Sequence, residues 1–417
     1  MTLAVTASLA RGAAINLAAR LVVVALGLGV LVVVARMGPA VQGAFALFAA
    51  AESALLTLFS GLGLLLAREI SHRQRDSAGA CSAALLASLG LGVVAALAML
   101  TLALVAHSDP YRHLWLMALA APFLLMVPTA GGLWLGQGRM GAMNLPQVAA
   151  PAAVLCALAA LPLAGASGIA AVLAAWAVGK ALVGAATGLA AARESGFATP
   201  RWDDLRAQWR FVALIGITNV VSLLNYRVTL FLLERQGGLA AAGVYSVAVQ
   251  VGELLWMLSS AVTLSAYARI GAPDRAQAAR LTLRAVRINV LVTAAAAPLL
   301  WVVARWALPV LLGQAYSQAL LPLMLLLPGI AAYAAASSLS AYFTNHRGRP
   351  QWSGAVAAFS LALTLAISAW SIPRFGAIGA ALATSLAYLI AMSAAFASFL
   401  RDAGLSWRCV WSTAPRQ

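Results

Sequence analysis

Apolar runs of about twenty residues or more follow one another along nearly the whole chain, each closed by charged residues or a Gly/Pro-rich break. A helix rises about 1.5 Å per residue and the hydrocarbon core of a bilayer is about 30 Å thick, so roughly 20 apolar residues cross it. The runs predict twelve membrane helices near 12–35, 41–67, 80–106, 114–135, 142–164, 168–192, 211–233, 240–268, 288–308, 318–342, 352–371 and 376–400. Prolines interrupt the fifth (Pro146, Pro151, Pro162) and the tenth (Pro322, Pro328). Membrane helices tolerate this where neighbours re-satisfy the freed backbone groups. No basic segment precedes a short apolar core at the start, so the first run reads as a span rather than a signal peptide.

Composition removes the soluble alternative. Of 417 residues, 63% are hydrophobic and 9% charged, against about 25% charged in a soluble domain. No room remains for a soluble catalytic domain. Cys81, Cys156 and Cys409 are too scattered for a disulfide framework or a metal site. The net charge of +16 raises the question of nucleic acid, but the positions of the basic residues answer it differently. With the N-terminus inside, nineteen of the 27 basic residues fall in cytoplasmic segments and five outside: Arg36, Arg112, Arg235, Arg305 and Arg374. That is the positive-inside bias of a polytopic protein. It predicts cytoplasmic N- and C-termini and an even number of spans, with anionic membrane lipids rather than nucleic acid as partners. Alanine-rich runs and Arg in place of Lys suggest a GC-rich bacterial source, hence the bacterial cytoplasmic (inner) membrane. The outer loops are short.

The chain repeats itself. Gly38-Pro39-Ala40-Val41-Gln42-Gly43-Ala44-Phe45 returns as Gly238-Leu239-Ala240-Ala241-Ala242-Gly243-Val244-Tyr245, an offset of 200. After a one-residue slip Glu52 falls against Glu253, and Arg68 against Arg269. Gly165-Ala166-Ser167-Gly168-Ile169-Ala170-Ala171 returns as Gly376-Ala377-Ile378-Gly379-Ala380-Ala381-Leu382. Halves of six spans share one orientation, a parallel repeat of the kind that places a transporter's site between its lobes. The fold expected is all-α and polytopic: about twelve transmembrane helices in two parallel six-helix lobes around a central cavity. The lobes are 1–192 and 211–400, joined by a cytoplasmic linker at 193–210 and followed by a cytoplasmic tail at 401–417. In the linker Trp202 and Trp209 lie among Arg201, Asp203, Asp204, Arg206 and Arg210, as in an amphipathic segment on the inner leaflet. Arg280, Arg284 and Arg287 share a helical face suited to headgroups.

Several motifs are absent or misleading. Gly136-Gln137-Gly138-Arg139-Met140-Gly141 matches a dinucleotide fingerprint in letters only, since no strand precedes it and no acid follows about 20 residues on. It reads as an interhelical turn. There is no P-loop, no paired-His metal motif and no G-x-S-x-G, and His72, His107, His113 and His346 lie in loops. No cofactor, metal or catalytic residue is expected. Gly132…Gly136 and Gly184…Gly188 are small-xxx-small patterns that allow close helix packing.

The informative residues are charges within spans, each costing roughly 2.5–3.5 kcal/mol on insertion scales: Arg20, Glu52, Lys180, Arg227 and Glu253. Arg20 lies toward the inner side, Glu52, Lys180 and Glu253 near mid-membrane, and Arg227 nearer the outer side. Polar neighbours form stripes: Asn16 with Arg20; Asn219, Ser222 and Tyr226 flanked by Asn225 and Arg227; Ser246, Gln250, Glu253 and Ser260. Spans one, two, seven and eight thus carry polar faces, as expected of helices lining one cavity. Arg20 and Arg227 are also placed to snorkel. Glu52 and Glu253 are placed either to pair with Arg20 and Arg227 or to respond to protons or cations. The position of Lys180 fits a cavity wall and a lobe interior equally well.

Taken together, Arg36-Met37-Gly38-Pro39 through Gly43-Ala44-Phe45, then Glu52, the block Gly243–Ala248 with Glu253-Leu254-Leu255, and Gly376–Leu382 make the whole chain resemble a family. It is the polysaccharide-exporter, or repeat-unit flippase, branch of the multidrug/oligosaccharidyl-lipid/polysaccharide (MOP) superfamily. The resemblance implies two six-helix lobes facing a cationic cavity and no enzyme activity. It implies translocation of an undecaprenyl-diphosphate-linked oligosaccharide, an O-antigen, capsule or exopolysaccharide unit, by alternating access. It extends the partners to a polysaccharide polymerase and glycosyltransferases of the same pathway. On this reading Arg20, Arg227, Lys180, Asn16, Asn219 and Asn225 bind substrate, and Glu52 and Glu253 couple or balance charge. The alternatives are a cation-coupled multidrug exporter of the same superfamily, which calls for an acidic cavity, and a membrane-embedded polymerase or ligase, which calls for a large outer loop.

Overall fold

The computed structural model describes residues 2–73, 78–196, 198–260, 263, 270, 274–349 and 351–406. Arg75, Arg269, Arg408, Cys409 and Arg416, and with them most of the tail, lie outside these. Among the described residues there is helix and no strand. The helices are α1 (Thr2–Arg36), α2 (Pro39–Leu58, resumed after Phe59 as Ser60–Arg73), α3 (Ala78–Val105), α4 (Leu114–Leu124, resumed as Met126–Gly136), α5 (Met140–Ala160) and α6 (Gly168–Ser195). The run Trp202–Glu253 holds α7 (202–237) and α8 (239–253). Then come α9 (Arg275–Leu312) and α10 (Leu320–Tyr333, continued by Ala336–Ala341 and a π-turn at Tyr342–His346). The run Gln351–Ala403 holds α11 (351–375) and α12 (377–403).

Ten runs are long and apolar enough to cross a membrane, and two of them exceed 50 residues. A straight helix of that length would measure about 75 Å, far beyond the bilayer. Each of these two contains one non-helical glycine, Gly238 (φ 77°) and Gly376 (φ 53°). The chain reverses at both. Thr229 and Tyr245 meet across Gly238 at 3.3 Å, and the Ser371 hydroxyl donates to the Gly379 carbonyl across Gly376 at 2.9 Å. Among the described residues the count of candidate spans is therefore twelve. The protein is an integral multi-pass membrane protein, and its exterior is apolar, with Leu104, Trp306 and Val310 more than 70% exposed.

The repeat is visible in the backbone. Gly38 (φ 120°, ψ 157°) and Gly238 (φ 77°, ψ 177°) both open the second helix of their half in a region closed to residues with a Cβ. Pro39 follows Gly38 at the first helical position, where a missing N–H is harmless. The prolines of α5 and α10 leave these helices standing: Pro146 and Pro151 lie inside α5, and Pro328 inside α10.

Contacts divide the chain into two compact units, 1–220 and 221–417. Within the first, helices cross at glycines. A Cβ on Gly63 would overlap the Pro128 carbonyl oxygen, and one on Gly132 would overlap Gly63, so α2 and α4 touch backbone to backbone. Gly136 seats against Ile70, Gly184 against Phe123 and Gly188 against Met126. Both small-xxx-small patterns are thus packing surfaces.

Two sequence expectations shift. The segment 202–210, the second half of the expected amphipathic linker, is the opening of α7, because nothing between Trp202 and Gly238 breaks the helix. Trp202, Arg206, Trp209 and Arg210 are exposed on it, while Gln208 donates to Glu69 at 2.8 Å. Residues 211–220 also pack in the first unit: Gly216 lies against Leu58, and a Cβ on Gly61 would come within 2.9 Å of the Val212 Cα. Likewise Arg280, Arg284 and Arg287 belong to α9 itself, which starts at Arg275 under an Asp274 N-cap that accepts from the Ala276 N–H at 2.9 Å.

Candidate functional site

In the first unit the site is built around Glu52. Gly43 and the alanines of α2 let this helix sink into its lobe, and Glu52 is carried in with them, 6% exposed. One carboxylate oxygen accepts from the Trp176 indole N–H at 3.1 Å and the other from the Lys180 ammonium at 2.7 Å. Both donors stand one turn apart on α6. Trp176 is held edge-on by Phe48, ring centres 5.8 Å apart, and both rings are fully buried. The carboxylate therefore has a neutral donor, a charged donor and a fixed orientation. Lys180, with 23% of its side chain exposed, belongs to the lobe interior. Of the two sequence readings of Glu52, a partner for Arg20 or a group that responds to protons or cations, the first is not the arrangement seen: α6 and not α1 brings a cation to the buried face of α2. Arg20 is exposed on α1 beside a half-buried Asn16, and no described carboxylate pairs with it.

In the second unit α7 and α8 form a hairpin about Gly238, which brings Arg227 to Glu253. The two terminal guanidinium nitrogens each donate to one carboxylate oxygen at 2.9 Å, fork to fork. The pair retains access, with 25% of the arginine and 19% of the glutamate side chain exposed. The pairing of Arg227 with Glu253 anticipated from the sequence is present. Around it stand four aromatic rings. Tyr226 packs against Trp256 (5.1 Å) and Tyr333 (5.6 Å), and Tyr333 against Tyr388 (4.5 Å). The Tyr226 hydroxyl donates to that of Tyr333 at 3.1 Å, and Tyr388 donates to the Asn225 carbonyl at 3.3 Å. Tyr245 is buried between Thr229 and Thr384, 3.3 Å from each hydroxyl.

The remaining sequence candidates are spread. Asn225 is buried, 1% exposed. Asn219 packs in the first unit, where its amide donates to Ser60 at 3.3 Å. The expected stripe of α8 is uneven: Ser246 is buried and donates to the Gly243 carbonyl at 2.7 Å, whereas Ser260 lies beyond a break at Leu254–Leu255. The sequence reading missed Trp176, Trp256, Tyr333 and Tyr388. Trp256, three residues after Glu253, was legible as part of that helix face. Tyr333 and Tyr388 each stand among small and aliphatic neighbours and carry no signal of their own. Among the described residues no group of three metal-ligating side chains occurs.

Comparison with known proteins now places the chain. A family model described as "Polysaccharide biosynthesis protein" matches residues 9–268, more than half of the sequence. The fold is that of MOP-superfamily transporters. An inward-facing multidrug resistance transporter of the MATE family superposes with a TM-score of 0.76 at 17% identity, covering 93% of this chain and 95% of that one. An outward-facing member gives 0.66 at 18%, covering 98% and 96%. A MOP transporter from Pyrococcus furiosus, described as having a binding pocket of reverse polarity that suggests a different function, gives 0.62 at 16%, covering 98% and 96%. A search of curated proteins finds no match. The protein thus has the polytopic fold of these transporters. The chain belongs to the polysaccharide biosynthesis protein family.

Proposed function

We propose that this protein is a flippase that carries a lipid-linked oligosaccharide, of the undecaprenyl-diphosphate type, across the bacterial cytoplasmic membrane by alternating access. The Arg227–Glu253 fork carries the reading. A diphosphate bears about two negative charges, and inside a membrane it needs cations that are neutralised when it is absent and released when it arrives. Arg227 fits: its charge is held by Glu253 in the empty protein, the pair is partly accessible, and its planar fork matches phosphate as well as carboxylate. Phosphate oxygens displace the carboxylate, and Glu253 is then free to take a proton or a cation. Arg20, exposed without a described carboxylate partner, suits first capture from the cytoplasmic side. Lys180, committed to Glu52 by a partly buried bond, suits a structural or coupling role. The polymerase and glycosyltransferases of the same pathway are its natural neighbours.

The test is surface polysaccharide together with the leaflet location of lipid-linked units in cells carrying Arg20→Ala or Arg227→Ala. Both should lose the polymer and accumulate lipid-linked units on the inner leaflet, while Arg36→Ala, at the end of α1, retains export. Normal export in both cavity variants, at wild-type protein levels, rejects the assignment. A second reading has one observation in its favour: an aromatic box beside Glu253 also suits an organic cation, as in a multidrug exporter. In that case Glu253→Gln abolishes drug resistance and leaves surface polysaccharide untouched.

A further inference from the structure

The second unit contains a partly open cavity of about 320 Å³, within the size range of small-molecule sites. Six serines line it, Ser222, Ser259, Ser260, Ser337, Ser340 and Ser353, beside alanines, Leu339, Val356 and Met392. Its flat surfaces are Tyr226, Trp256, Tyr333 and Trp352. No carboxylate, lysine, arginine or histidine lines it. We propose that this cavity is a sugar-ring subsite, which takes one uncharged pyranose of the glycan while the diphosphate rests on Arg227. The inference rests on the flippase reading for what the sugar is attached to, and on the cavity alone for the sugar itself.

Three observations point to a sugar. First, the serine hydroxyls keep acceptor or donor capacity beyond the single hydrogen bond each makes within the protein, which an aliphatic guest would leave unused. A pyranose offers a ring of hydroxyls to pair with them. Second, the wall is held in place. Ser337 shares a hydrogen bond with Thr263 at 2.7 Å, and Ser340 with Ser353 at 2.8 Å. Buried Asn289 donates to both Thr263 and Ser338 at 2.9 Å from behind. Ser259 and Ser260 donate to the carbonyls of Trp256 and Met257, so their lone pairs face outward as acceptors. The wall thus mixes donors and acceptors, as a polyol requires. Third, the aromatic faces are fixed: Trp352 stacks on Phe343 at 3.8 Å and 15°, and Trp256 is braced by Tyr226 and Tyr333. Fixed ring faces suit the C–H face of a sugar. An organic cation is disfavoured because Glu253 does not line the cavity and is engaged by Arg227. Tyr226 and Trp256 also line a smaller space that reaches Glu253, the partner of Arg227.

The experiment is saturation-transfer NMR on the full-length protein in lipid nanodiscs. The probes are methyl pyranosides of the common hexoses and N-acetylhexosamines, with tetraphenylphosphonium as the organic cation. At least one pyranoside should receive saturation. The effect should fall about tenfold in Trp256→Ala and Ser340→Ala, and tetraphenylphosphonium should show none that depends on Trp256. Tyr333→Phe, which keeps the ring, should retain binding and serves as the variant least prone to misfold. If no pyranoside binds, if binding is undiminished in Trp256→Ala and Ser340→Ala, or if tetraphenylphosphonium is the probe that Trp256 controls, the proposal is overturned. Sugar binding that persists while Arg20→Ala and Arg227→Ala export normally supports the subsite and removes the flippase reading. Lost export in those arginine variants with no sugar binding does the reverse.

Discussion

Glu52 and Glu253 occupy equivalent places in the two halves yet are compensated differently, and the difference sets what each tolerates. Glu52 is nearly sealed, so removing its cation leaves a bare charge in a low-dielectric interior. Breaking one side of a buried pair typically costs about 3–5 kcal/mol, and removing both sides costs far less. Lys180→Ala should therefore destabilise the protein by about 3 kcal/mol, and Glu52→Gln in the same chain should restore most of it. Thermal unfolding in detergent, run as a double-mutant cycle, checks this; additive effects would mean that the pair is uncoupled. On the proposed flippase reading, Arg227→Lys keeps a charge and loses the fork, so polysaccharide export should fall to a partial level rather than vanish, which Arg227→Ala measured alongside makes readable. The charged residues themselves were legible from their positions inside apolar runs. The partner of Glu52 was not, because Lys180 is 128 positions away and helix periodicity carries no information about which helices touch.

The helices were legible in number and nearly in extent, since length and hydropathy alone decide what crosses a bilayer. Their ends were less so. The opening of α7 at Trp202 and of α9 at Arg275 lies in charged sequence, where the apolar pattern has stopped but nothing breaks a helix. The reversals were legible through glycine. Gly38 and Gly238 hold positive φ, and alanine there costs on the order of 1–3 kcal/mol. Gly38→Ala and Gly238→Ala should each lower the unfolding temperature, while Gly27→Ala, at a helical site with nothing within 4 Å of the added carbon, should leave it unchanged or raised. Equal effects at all three would remove the link between the repeat and these turns. Gly63→Val should be more severe, because the α2–α4 crossing at Pro128 has no room even for a methyl group.

At the scale of the whole molecule the basic residues set the direction of insertion. A reporter fused after Arg206 or Arg287 should read cytoplasm, and one fused after Asp109 or Gly313 the outer side. A cytoplasmic signal at Asp109 would break the parallel relation of the halves. The two intramembrane ion pairs differ between the repeats. At the offset of 200 that aligns the glycine turns, the place of Arg227 in the first half is Gly27. At the offset of 211 that aligns the later glycine blocks, the place of Lys180 in the second half is Ala391. The acids match and the cations do not. Each half therefore holds its glutamate with a counter-ion of its own, one from α6 and one from α7, so the two halves are not interchangeable. A chain built from two first halves would keep both acids but have no arginine at the place of Arg227.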